Sequence, residues 1–117
     1  MNGRGETIAL SVLAVLLVSS TFIAVSPVEL RVATGDSMQP TMDPQILAVC
    51  VESDPATLEE GDIISFESNA GDLMHRVVAV DTETETLIAR GDNKTYSDDP
   101  VAFDAVNCEV WDWWSLT

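Results

Sequence analysis

The chain has 117 residues and a formal charge of −15, from 20 Asp and Glu against 5 Lys and Arg. That length holds one domain, and so few basic residues exclude a phosphate-binding surface and with it a nucleic-acid partner. The acids are spread along the chain without a D-x-D-x-D-G calcium loop. We read them as adaptation to high salt, where concentrated ions screen the repulsion between surface carboxylates.

The first element is the stretch "IALSVLAVLLVSSTFIAV", Ile8 to Val25, which carries no charge. As a helix it would span roughly 27 Å, close to the hydrocarbon thickness of a bilayer. Its few serines and its threonine can bond back to helix carbonyls. Pro27 would end it. A domain of about ninety residues could hardly wrap a helix that is apolar all round, so the sequence predicts a transmembrane anchor within residues 1–27. Cleavage as a secretory signal is the alternative, but Pro27 would sit just after the cut. Arg4 on the N-terminal side and the acidic excess beyond predict a cytoplasmic N-terminus, with residues 28–117 outside the membrane.

Runs rich in β-branched residues then alternate with turn signals. Strands are predicted at Val28–Thr34, Ile46–Glu52, Asp62–Glu67, Leu73–Val80, Thr86–Ala89 and Val101–Trp111. Acidic turns such as "SDP" and "SNAGD" separate them. The fold class predicted is mostly β: a small antiparallel domain behind one N-terminal transmembrane helix.

Within this pattern "GDSMQPTM", residues 35–42, is too broken for a strand, and its proline forbids a helix interior. It reads as a sharp turn presenting Ser37. A serine hydroxyl needs a base to become a nucleophile. His75, in "LMHRVVAV", is the single histidine and suits that task. It neighbours Arg76, and adjacent side chains on a strand point to opposite faces, so one of the two points inward. Lys94, the only lysine, is the other candidate base. Asp92, Asp98 and Asp99, in "GDNKTYSDDP", are available to orient an imidazole.

Two further features stay open on the residues alone. Cys50 and Cys108 are either a disulfide, as an extracytoplasmic setting permits, or two small buried residues. In "WDWW", strict strand alternation puts Trp111 and Trp113 on one face and Trp114 on the other. The rings either pack in the core or sit at the bilayer interface, where tryptophan is favoured.

Four blocks in this order, "GDSMQPTM", "EEGDIISF", "HRVV" and "ARGDNKTYSDD", behind an N-terminal anchor resemble type I signal peptidases. The histidine and the short spacing resemble the archaeal and endoplasmic-reticulum branch. The resemblance implies a serine endopeptidase that removes signal peptides from secretory preproteins after small residues at positions −1 and −3 before the cut. It needs no cofactor or metal, and it works at the membrane with the protein-export translocon as a possible partner. It makes Ser37 the nucleophile and His75 the general base, with Asp98 the preferred orienting carboxylate and Asp92 and Asp99 beside it. Met38 would line the pocket for small side chains, where its plainer reading is core packing. Gly35 stands where many members carry a serine whose hydroxyl assists the oxyanion, and "DPQI" follows the serine block where Gly-Asp is usual. The competing reading is a catalytically inactive anchored β domain that binds exported proteins. A self-cleaving repressor-type protease would need a lysine base and a DNA-binding domain in place of the apolar stretch.

Overall fold

The computed structural model describes residues 28–117. The membrane span expected over Ile8–Val25 lies outside the described residues. Among those described, no helix is long and apolar enough to cross a membrane.

Seven strands make up the domain: β1 (Val28–Thr34), β2 (Gln45–Val51), β3 (Ile63–Ser68), β4 (Gly71–Asp81), β5 (Thr86–Arg90), β6 (Val101–Ala102) and β7 (Val106–Ser115). They form one antiparallel sheet in the order β1-β2-β7-β3-β4-β5-β6. Alternation drives the packing, as β2 illustrates: Ile46, Ala48 and Cys50 are buried while Leu47, Val49 and Val51 between them are only half-buried. Strand residues two apart share a face, so each face of the sheet can carry its own core.

Two apolar clusters result. The first gathers Met38, Met42, Ile46, Ala48, Cys50, Ile63, Cys108 and Val110 over the β1–β2–β7–β3 part of the sheet. The second gathers Leu58, Ile64, Phe66, Val77, Leu87, Ala89 and Val101 over the β3–β4–β5 part. Neighbours along β3 alternate between them: Ile63 belongs to the first and Ile64 to the second. The clusters therefore lie on opposite faces of one sheet. Cys50 and Cys108 are disulfide-bonded inside the first cluster, across 58 residues of sequence. A cross-link closing a loop of that length stabilises the fold by about 4 kcal/mol in the chain-entropy account.

The long strand expected at Val101–Trp111 is broken. It comprises β6, a 3₁₀ turn at Phe103–Ala105, and β7. The break lets the chain cross from the edge beside β5 to the middle of the sheet between β2 and β3. The Phe103 N–H bonds to the Glu85 carbonyl at 3.0 Å and holds the crossing against the β4–β5 hairpin.

β7 also runs on through the tryptophans. Val49 pairs with Asp112 and Cys50 with Val110, leaving Trp111 as the extra residue of a β-bulge. A bulge resets the alternation. Trp113 thus packs against the first cluster, and Trp114, opposite Leu47, is exposed like Trp111. The expectation that Trp111 and Trp113 share a face is corrected by this one inserted residue. Val28, Leu30 and Val32, on the outward side of β1, are likewise exposed.

Candidate active site

The turn that carries Ser37 starts where β1 ends. Gly35 has φ +118°, a conformation that side chains disfavour, and its N–H bonds to the Pro44 carbonyl at 2.8 Å. This closes residues 35–44 into a compact excursion between β1 and β2. Met38 and Met42 fold back from it into the first cluster. The Met42 N–H bonds to the Met38 carbonyl at 2.9 Å, and that of Gln39 to the Asp36 carbonyl at 3.1 Å. The serine therefore sits on a turn anchored by two buried side chains.

His75 comes from β4 and from the other face. It pairs with Ile64 across the ladder, is 3% exposed, and meets the Phe66 ring edge-on at 5.9 Å. Arg76 points the opposite way, as strand alternation requires. The His75 Nε2 lies 3.1 Å from Ser37 Oγ, and its Nδ1 lies 2.5 Å from Asp98 Oδ2. With the ring proton on Nδ1 and accepted by the carboxylate, Nε2 presents its lone pair to the serine hydroxyl. Asp98 is itself fixed by its backbone, whose N–H bonds to the Ala89 carbonyl at 2.8 Å. This is the geometry of a nucleophile, a base and an orienting acid. The Ser37 N–H donates to no group among the described residues, which leaves it able to face an oxyanion.

The structure separates the three aspartates. Asp98 joins the histidine. Asp99 is exposed and bonds to neither Ser37 nor His75, so the next residue along is not an equivalent acid. Asp92 does not touch His75 either. Its carboxylate takes Arg76 Nε at 2.9 Å and Nη2 at 2.8 Å, and the Thr41 hydroxyl at 2.5 Å. The Arg76 hydrogen bond, ahead of the one from Thr41, holds the Asp92 carboxyl below its ordinary pKa against the opposing cost of burial. The same pairing raises Arg76. Asp92 is thus a strut from β4 to the serine turn. Lys94 is exposed and bonds to neither Ser37 nor His75, so His75 is the base that the geometry offers.

Sequence reasoning missed two residues of this junction. The Asn93 N–H bonds to the Ser37 carbonyl at 2.8 Å, and Asn93 Nδ2 donates to the Asp36 carbonyl at 3.1 Å. Gly91 is buried, and a Cβ there would lie 2.6 Å from the Ser37 carbonyl oxygen and 3.1 Å from His75 Nε2. Nothing in the sequence marks that close approach.

Beside the serine lies a cleft of about 310 Å³, lined by β1 from Arg31 to Thr34, by Gly35, Met38, Met42 and Ile46, and by Ser65 and Asp72 to Met74. Gly35 and Met38 both line it, and Met38 is also a core residue. β1 pairs only with β2. β4 pairs with β5 only from Arg76 onward. Two unpaired strand edges therefore border the cleft. The chain matches no protein-family model and no curated protein.

Proposed function

We propose that the protein is a membrane-anchored serine endopeptidase that removes N-terminal signal peptides from exported preproteins, cutting after small residues. The observation that carries this is the Ser37–His75–Asp98 relay beside an open cleft, with contacts of 3.1 and 2.5 Å. Ser37 attacks the scissile carbonyl as Nε2 of His75 takes its proton. The imidazolium, stabilised by Asp98, returns the proton to the leaving amine, and water then hydrolyses the acyl-enzyme. The Ser37 N–H is the first oxyanion donor. Gly35 supplies no hydroxyl, so a second donor from a side chain at that position is absent.

The cleft supports a peptide substrate. An extended chain between the free edges of β1 and β4 gains backbone hydrogen bonds from both, and its side chains alternate into and out of the cleft. The apolar level formed by Ala33, Met38, Met42, Ile46 and Met74 suits a small side chain. Placement at a membrane rests on the apolar stretch at 8–25 and on the exposed apolar side of β1, which begins at Val28. A strand that starts so close to a bilayer span can lay such a side toward lipid.

The test is cleavage of a labelled preprotein by the full chain in lipid at molar salt, with Ser37→Ala beside the wild type. The proposal expects cleavage after a small residue and its loss in the variant. A folded wild type that binds preprotein and cuts nothing would favour the inactive binding domain.

A further inference from the structure

The cleft is not uniform along its length. β1 and β4 run side by side through it, and their inward side chains step together two residues at a time. Ala33 and Met74 form one level, joined by Met38, Met42 and Ile46, next to the serine turn. Arg31 and Asp72 form the next, two residues further from Ser37 on each strand, joined by Ser65. The first level is apolar and the second is polar.

The polar level is built, and its hydrogen-bonding capacity is only partly used. Ser65 is 2% exposed. Its Oγ accepts from Arg31 Nη1 and from Asn107 Nδ2, each at 3.4 Å, and it donates to no group among the described residues. Arg31 Nη1 reaches Asp72 Oδ2 at 3.3 Å, while Arg31 Nε is held by Glu29 at 2.9 Å. Contacts of 3.3 to 3.4 Å are long for hydrogen bonds. A buried hydroxyl, a guanidinium and a carboxylate thus converge with donors and acceptors in excess.

An extended peptide has the same two-residue repeat, with successive same-side chains about 7 Å apart. If the side chain just before the scissile bond fills the apolar level, the side chain two residues earlier falls at the polar level. We propose that this second subsite selects a small hydroxyl side chain, serine or threonine, in the third position before the cut. The inference rests on the endopeptidase reading and narrows its substrate class. A hydroxyl there accepts from Arg31 or Ser65 and donates to Asp72, satisfying groups that an aliphatic side chain would cover and leave unpaired. A carboxylate suits the site less well, since the single guanidinium already faces Glu29 and Asp72, and a third acid would add repulsion.

Threonine and valine have nearly the same shape, so two peptides differing only in that residue isolate the hydroxyl. The full-length wild type is expected to cleave the threonine peptide with about tenfold higher kcat/KM, the discrimination that one partly exposed hydrogen-bond set supplies. Ser65→Ala should shrink the ratio, and Arg31→Leu should bring it to one or below. Binding to Ser37→Ala, read by fluorescence anisotropy of the labelled peptides, separates this claim from the chemistry. A threonine preference in Kd without any cleavage by the wild type would sink the endopeptidase reading and leave the subsite standing. Equal or tighter binding of the valine peptide, or a ratio that Arg31→Leu leaves unchanged, overturns the subsite.

Discussion

The two apolar clusters of the sheet do different work. The first holds the serine: Met38 and Met42 bury the turn that presents Ser37, and the Cys50–Cys108 disulfide braces the strands beneath. The second holds the histidine: His75 stands on the same face as Ile64, Phe66 and Val77. Serine and histidine thus belong to opposite faces of one sheet and meet at the unpaired edge of β4. Neither core sets the 3.1 Å contact alone. The turn at 91–94 joins them, through Gly91 against both partners and Asn93 on the Ser37 carbonyl. Rigid packing on each side lets a few joining residues control the site.

Breaking the joint should therefore cost most in activity. Gly91→Ala forces a Cβ to within 2.6 Å of the Ser37 carbonyl oxygen. We expect a loss of about 100-fold in kcat, the scale of a roughly 1 Å misplacement, together with about 1–3 kcal/mol of stability, because the clash is with backbone at a buried position. Full activity in Gly91→Ala would mean that the joint is slack.

Trimming either core sharpens the contrast. Met42→Ala and Leu87→Ala each remove a buried side chain and should cost about 2–5 kcal/mol of stability. Met42→Ala should also lower kcat/KM in protein shown to be folded, since it loosens the serine turn. Leu87→Ala, on β5 between Val80 and Val101, should not. Equal activity losses in the two would erase the distinction between the clusters.

The smallest effect concerns the strut. The Asp92 carboxyl lies below its ordinary pKa in the folded state, so its contribution to stability is present above the ordinary value, about 4. It is lost as pH falls through the lowered one. Denaturation curves from pH 6 to pH 2 should show Asp92→Asn less stable than the wild type at pH 6. The gap should close below about pH 4. A gap that stays constant to pH 2 would assign Asp92 no linked role.

Much of this arrangement was legible in the sequence, unevenly. β1 was readable to its end residues because a β-branched run stops at a turn glycine. The break between β6 and β7 was not, since "VAFDAVNCEV" holds no glycine or proline and only a one-residue slip of its apolar alternation, at Ala105–Val106, marks the 3₁₀ turn. The faces of the tryptophans were misread because one bulged residue, Trp111, shifts the period. At the site, Ser37, His75 and Asp98 were legible from their blocks. The part played by Asp92 was hidden, because the neighbouring Arg76 captures its carboxylate. Gly91 was hidden for another reason: beside Asp92 and Asn93 a glycine reads as an ordinary turn residue, and nothing in the sequence says that Ser37 and His75 lie against it.

The central claim is that Ser37 and His75 act as one unit across the two faces. Its most direct measurement is a cycle of Ser37→Ala, His75→Ala and the double variant, each folded, assayed for preprotein cleavage in lipid. We expect each single change to lower kcat by about four to six orders of magnitude, and the double variant to be no worse than either single one. Losses that multiply in the double variant, or a His75→Ala enzyme that still cuts, would contradict it.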